Sequence, residues 1–229
     1  MIVLIACEES QAVCKAFRKK GHIAFSCDIE DCSGGHPEWH IKQDVTSLLN
    51  GKCNFKTCDG LEWFLPDKWD MIIAFPPCTH LANSGARHFE NKRNDGRQRE
   101  GIEFFCQFLN ADCEKVVIEN PVGIISGSYI KKWFPDLCQK YDLPKKPTQK
   151  IQPFEFGHPF IKTTCLWLKG VKPLKSTDIL VKPDKGWVNQ SFTSSGRYGG
   201  FNGLFNDPKI RSKTFEGIAE AMADQWGAQ

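Results

Sequence analysis

The sequence predicts an α/β fold: a Rossmann-like, doubly wound, mostly parallel sheet with helices on both faces. Three observations lead there. Short apolar runs alternate with segments of helical period along most of the chain, and strand and helix taking turns implies crossover connections within a parallel sheet. The first five apolar runs each end on polar or reactive residues, where a doubly wound sheet places its ligands. With 229 residues, 41% hydrophobic and 25% charged, the chain can bury one sizeable core, so a single domain over 1–229 is expected.

Taken in order, "IVLIAC" reads as a buried first strand, and "ESQAVCKAFRKKG" as an amphipathic helix with Val13 and Phe17 inward and Gly21 closing it. "HIAFSC" reads as a second strand, "IKQDV" as a short third and "WDMIIAF" as a fourth. Residues 97–109 carry Ile102, Phe105, Phe108 and Leu109 at helical spacing, ahead of the strand "KVVIEN". "TTCLWLKG" reads as a further strand. Residues 171–210 are rich in Gly, Lys, Ser and aromatics and show no sustained period, so an irregular insertion is expected there. Residues 211–227 place Phe215, Ile218, Ala219, Met222 and Trp226 on one face, the pattern of a docked terminal helix.

No apolar stretch approaches the roughly 18 to 20 residues that cross a bilayer. The first apolar segment lacks the basic flank and length of a signal peptide, so a cytoplasmic protein with no membrane partner is expected. Eleven cysteines at irregular spacing argue against a disulfide framework and for reduced thiols. The net charge of +3 permits a nucleic-acid partner without requiring one. Basic residues gather at Arg87, Lys92, Arg93, Arg97 and Arg99, and again at Lys182, Lys185, Arg197, Lys209, Arg211 and Lys213; a solvated face is the plain reading of such runs.

The strand ends suggest which ligand. Asp28 closes the second strand about 20 residues after the first turn, where an acid accepts the hydroxyls of an adenosine ribose. Asp44, after the third strand, is open to an adenine amino group. The first turn, "ACEESQAV", has no glycine, which argues against a dinucleotide or a nucleoside triphosphate. S-adenosylmethionine carries adenosine without phosphate, and its ammonium group suits Glu8 or Glu9.

The fourth and fifth strands deliver "PPCTHLANSG" and "VVIENPVG". With Cys78 and Glu119 at neighbouring strand ends, the chain resembles the DNA (cytosine-5) methyltransferases, in a compact branch of phage or mobile-element type. Their nucleophile loop, Pro-Pro-Cys-Gln-Gly-Phe-Ser-x-x-Gly, matches at Pro76, Pro77, Cys78 and Gly85, and their Glu-Asn-Val signature at Glu119 and Asn120. "CDIE" is similar to the ribose-binding segment, "QDV" to the adenine-binding one, and "FGHPFIKTTCLWLKG" to a later segment at Phe156, Gly157 and Pro159. The resemblance covers most of the first 170 residues. It departs at the first loop, where Ala6 alone survives; at Lys162 and Thr164, which stand for two arginines; and at about 40 residues that replace a target-recognition domain.

What the resemblance implies is a class I S-adenosylmethionine-dependent methyltransferase fold, DNA as partner and S-adenosylmethionine, or a carboxylated derivative, as cofactor. Cys78 and Glu119 are then the expected catalytic pair. Ala6, Cys7, Glu8, Asp28, Ile29, Asp44, Val45, Phe75 and Pro76 would hold the cofactor. Pro77, Ser84, Arg87, Asn120, Lys162, Thr164 and Arg197 would hold the substrate. No metal and no obligate protein partner are expected. The same chemistry on a free nucleotide, or a catalytically silent DNA-binding member, stays open.

Two other patterns bear on the site. Cys27, Cys32, His36 and His40 have a spacing that could supply four zinc ligands, but Cys27 lies within the expected second strand beside Asp28. His80 near Cys78 suggests the base of a Cys/His hydrolase, a reading the Glu119-Asn120 signature makes less attractive. Residues 186–206 combine Trp187, Phe192, Tyr198, Phe201 and Phe205 with Arg197, a mixture that suits stacking on bases and contact with phosphates, or a lid packed on the core.

Overall fold

The computed structural model describes residues 1–143, 146–181, 188–189 and 212–228. Arg197 and the aromatic residues of 186–206, apart from the short strand at 188–189, therefore lie outside the described residues, as does most of the expected insertion at 171–210.

Strand β1 (Ile2–Ala6) is followed by helix α1 (Ala12–Lys19) and strand β2 (Ile23–Asp28). The helix closes where expected, at Gly21, whose φ of 83° is a conformation glycine adopts without strain. After β3 (His40–Lys42) the chain makes a hairpin of β4 (Cys53–Lys56) and β5 (Glu62–Leu65), then enters β6 (Met71–Ala74). Helices α2 (Phe89–Asn94) and α3 (Arg97–Leu109) lead to β7 (Val116–Pro121), and α4 (Gly127–Trp133) and α5 (Pro135–Lys140) follow. The short strands β8 (Gln149–Ile151) and β9 (Phe160–Ile161) precede β10 (Thr164–Lys169), and β11 (Val188–Asn189) pairs parallel with β9. Helix α6 (Glu216–Gly227) is the expected terminal helix, beginning five residues later than the sequence pattern suggests.

Seven strands form one sheet in the order β3-β2-β1-β6-β7-β10-β8. The ladders from β3 through β7 are all parallel, whereas β10 runs antiparallel to both β7 and β8. Counting the sheet's own strands, the order is 3-2-1-4-5-7-6 with the seventh reversed. That is a doubly wound, Rossmann-like arrangement, as expected from the sequence. Alternate residues of each strand feed two cores, as the period of two demands. Val3, Ile5, Met71, Ile73 and Val117 pack under α1 and α6. Leu4, Ala6, Ile72, Ala74, Val116 and Ile118 pack on the other face with Ile102, Phe105 and Phe108 of α3 and Ile130 of α4.

Helices cover both faces as expected, α1 and α6 on one and α3 and α4 on the other, with one local exception. Between β3 and β6 the layer is the β4–β5 hairpin, whose Phe55 and Leu65 join the second core, with Phe55 and Trp63 edge-on to Phe25 of β2. Its "TCDG" connection carries the Asp-Gly turn signal. Among the described residues no helix is long and apolar enough to cross a membrane.

Candidate active site

Parallel strands β1, β2, β3, β6 and β7 all end on the same edge of the sheet, and the candidate residues lie along that edge. Cys7 leaves β1 at φ 58° and Gln11 precedes α1 at φ 57°, both in the left-handed region that costs a side-chain-bearing residue energy. The first turn thus follows a path glycines usually take, without any glycine. Gln11 is fully buried, and its amide donates to Ser26 Oγ (3.2 Å) and the His36 carbonyl (2.8 Å) while its oxygen accepts the His36 N–H (3.0 Å). These bonds fasten the 29–36 loop over the turn.

Glu8 is placed differently from its expected role. Its carboxylate is buried and accepts the N–H groups of Val13 (2.6 Å) and Cys14 (3.2 Å), capping the N-terminus of α1. Burial pushes its pKa up to about 8, against the pull of those two N–H groups. The helix terminus that would receive a phosphate in a dinucleotide-binding fold is therefore already filled.

Cys7, Asp28 and Asp44 converge. Burial, with the nearby Asp28, Cys27 and Asp44, raises the Cys7 thiol well above its ordinary value, so it stays protonated at neutral pH. Asp28 is itself raised by burial and accepts the Glu30 N–H at 3.0 Å. Asp44 is exposed and caps the following turn through Thr46 N–H at 2.8 Å. Ile29 beside Asp28 is 70% exposed, an apolar surface available to a flat ring. Ala6 and Val45 face the core, and the Ala6 carbonyl accepts the Phe75 N–H at 2.9 Å.

On β6 the ladder to β7 runs to Ala74 opposite Ile118; two prolines then end it, since neither can donate an N–H. The buried side chain of Asn120, on β7, takes over the pairing by donating to the Pro76 carbonyl at 2.8 Å. Pro77 is exposed and Cys78 partly so. The Cys78 carbonyl accepts the N–H groups of Leu81 and Ala82, both at 2.9 Å, in a tight turn. Further along, Asn83 N–H donates to the Val122 carbonyl at 3.0 Å and Ile124 N–H to the Leu81 carbonyl at 2.9 Å, so the loop after β7 is stitched to the Cys78 loop. The close approach depends on Gly123, where a Cβ would stand 2.2 Å from the Leu81 oxygen. Ser84 and Arg87 lie exposed on the following turn, and Arg87 Nε meets His88 Nε2 at 2.9 Å.

Sequence reasoning missed the residues behind this loop. Lys92 of α2, only 8% exposed, donates to the Thr79 carbonyl at 2.6 Å, and the buried Gln98 of α3 donates to the His80 carbonyl at 3.4 Å. With Asn120 and Ile124, these donors hold the carbonyls of Pro76, Thr79, His80 and Leu81. Their targets are backbone oxygens, which leave no trace in sequence periodicity.

Glu119 faces the α6 side of the sheet. It lines one cleft with Lys162, Thr164, Thr214 and Phe215 just before α6, and Met222 within that helix. Burial raises the Glu119 carboxyl above its ordinary value, partly countered by the Lys162 charge and a hydrogen bond with Thr164. Lys162 is held by its N–H to Gln152 Oε1 at 3.1 Å, and the Thr164 hydroxyl also reaches the Lys162 carbonyl at 3.1 Å. The expected substrate residues Lys162 and Thr164 are thus gathered around Glu119.

The two rival patterns find other uses. His40 is buried with its ring nitrogens at Ser26 Oγ (2.9 Å) and the Glu30 carbonyl (3.0 Å), His36 pairs with Glu38 and stacks on Trp39, and Cys27 Sγ meets the Gln43 carbonyl. The described residues hold no group of three or more His, Cys, Asp or Glu side chains placed to hold a metal. None of the eleven cysteines is in a disulfide. Among the described residues the buried Nδ1 atom of His80 has no hydrogen-bond partner.

No family model matches the chain, and no curated protein matches it. Solved structures do match. One is described as a candidate DNA modification methyltransferase encoded within an Escherichia coli prophage, 15% identical with a TM-score of 0.47. The match covers 80% of this chain and 52% of that one, so this chain spans about half the length of that protein. At that similarity the match carries no argument about what this chain does.

Proposed function

We propose that the chain is an S-adenosylmethionine-dependent DNA cytosine-5 methyltransferase with Cys78 as its nucleophile. The observation that carries the reading is the pairing of two strand ends: Cys78 after β6 and Glu119 on the adjacent β7, joined by the Asn120 to Pro76 bond, in a sheet of methyltransferase strand order.

The residues at the ends of β1, β2 and β3 fit an adenosine ligand without phosphate. Asp28 and Asp44 offer acceptors for ribose hydroxyls and an adenine amine, Ile29 offers an apolar face, and Glu8 already occupies the α1 terminus a phosphate would need. Bound there, S-adenosylmethionine supplies an electrophilic methyl group.

The chain's own residues supply the rest. Carbon 5 of cytosine is a poor nucleophile, and addition of the Cys78 thiolate to carbon 6 turns it into an enamine carbon. Negative charge then develops on ring nitrogen 3. Burial raises the Glu119 carboxyl and so favours its protonated form, which can donate there and accept from the exocyclic amine. Loss of the carbon-5 proton to a base expels the Cys78 sulfur and restores the aromatic ring, one methyl heavier. None of this is reachable inside a duplex, so the target base must be flipped out or already unpaired.

Mass spectrometry of nucleosides from DNA incubated with the protein and donor tests the reading. It predicts 5-methylcytosine with wild type and none with Cys78→Ser; unmodified cytosine with wild type would reject it.

A further inference from the structure

A second surface near the Cys78 loop has the makings of a nucleic-acid contact. Trp133, at the end of α4, is 42% exposed, and two cations converge on its ring: Arg93 of α2 at 4.0 Å and Lys132 at 4.8 Å from the ring centre. Lys131 beside it is exposed, as is Arg87 on the turn leading into α2. Among the described residues none of these four cations forms an ion pair with a carboxylate, whereas Arg97 and Arg99 of α3 are both neutralised. Two like charges gathered on one exposed ring repel each other until an anion arrives.

The cluster is also tied to the nucleophile loop. Arg93 Nη1 donates to Tyr129 Oη at 2.9 Å, Tyr129 Oη donates to Gln98 Oε1 at 2.9 Å, and Gln98 Nε2 donates to the His80 carbonyl. Three hydrogen bonds thus separate the Arg93 guanidinium from a residue two positions beyond Cys78. Arg93 is oriented by that chain on one side and by the Trp133 face on the other, so it is a prearranged cation rather than a loose surface side chain.

We infer that the face formed by Arg93, Lys132 and Trp133 binds the phosphate backbone of the nucleic-acid strand that carries the target base. The inference rests on the DNA reading above and goes beyond it, since that reading assigns no role to Arg93, Lys132 or Trp133. The partner chemistry follows from the charges: a polyanion with regularly spaced phosphates engages several separated cations at once, and an adjacent aromatic ring offers a stacking surface to an unpaired base.

The test is fluorescence anisotropy of a labelled oligonucleotide duplex titrated with protein at several salt concentrations. Arg93→Gln with Lys132→Gln should weaken binding about 5- to 10-fold at 0.1 M salt and make the log-log salt slope shallower by about 1.8, two phosphate contacts' worth. S-adenosylmethionine binding, followed by calorimetry, should not change. Because Arg93 also orients Tyr129, the surface-only variant Lys131→Gln with Lys132→Gln serves as a second probe, with a smaller loss in the same direction. Wild-type slope in both variants, from a protein whose wild type methylates cytosine, overturns this face and leaves the enzyme reading standing. A wild type that binds no DNA at low salt overturns both.

Discussion

Asn120 and Glu8 show how single polar side chains build the two halves of the site. Asn120 satisfies the Pro76 carbonyl at the point where the prolines end the β6 ladder. Asn120→Ala should leave that buried oxygen without a partner, lower stability by about 1 to 3 kcal/mol, and reduce turnover more than cofactor affinity; urea denaturation beside steady-state kinetics reads both. Glu8 is buried and raised to about 8 from 4.5. Its ionised form is disfavoured in the folded state, so its contribution is fully present below about pH 4.5 and is lost as pH rises towards 8. Glu8→Gln should therefore flatten the fall in stability between pH 5 and 8, measured by denaturation across that range; an unchanged profile would show that Glu8 does not titrate there. Glu119 is raised in the same direction, so turnover should decline as pH rises through its elevated value, and Glu119→Gln should lose most activity while keeping the fold. The placement of Cys78 and Glu119 at neighbouring strand ends was legible because each follows or closes a clean apolar run. The helix-capping role of Glu8 was not legible: an acid after the first strand was read as a ligand contact, and nothing local signals the cap.

Elements with a clean period were legible nearly to the residue. Helix α3 spans Arg97–Leu109 as its apolar spacing predicts, and α6 buries Ile218, Ala219, Met222 and Trp226 as expected. Trp226 is fully buried and its indole N–H donates to the Lys172 carbonyl at 2.8 Å. Trp226→Ala should cost about 3 to 5 kcal/mol by opening a cavity between α6 and the sheet, measured by chemical denaturation. The β4–β5 hairpin was missed for a physical reason: in Glu62–Leu65 only Leu65 is buried, so no inward and outward alternation marks the strand. Helices α4 and α5, of 7 and 6 residues, are too short for a period of 3.6 to register. Of the residues that hold the Cys78 loop, Lys92 lies on the six-residue α2, whereas Gln98 and Asn120 lie on α3 and β7, which were legible; their support was invisible because its targets are backbone oxygens.

At the scale of the whole molecule, the strand order delivers five parallel strand ends to one edge, and the residues proposed to hold cofactor and base share it. Where the resemblance would place a large recognition domain, this sequence has about 40 residues, from 171 to 210. Each bidentate base contact adds roughly 1 to 3 kcal/mol of discrimination, and few can be built from so short a segment. Phosphate contacts give affinity without sequence information and weaken steeply with salt. A target of two or three bases around the modified cytosine is predicted, with activity falling sharply from about 50 to 200 mM salt; genome-wide mapping of modified cytosines would refute this by finding a strict site of six or more bases read without a partner. The central claim, however, is a bond between Cys78 and the base, and it has a direct measurement. DNA carrying 5-fluorocytosine cannot release its carbon-5 substituent as a proton, so with donor present the wild type should migrate as a covalent protein–DNA complex on a denaturing gel, and Cys78→Ser should not. A wild type that turns over ordinary DNA yet leaves the fluorinated DNA unbound, or a Cys78→Ser variant that traps it equally well, would contradict the account.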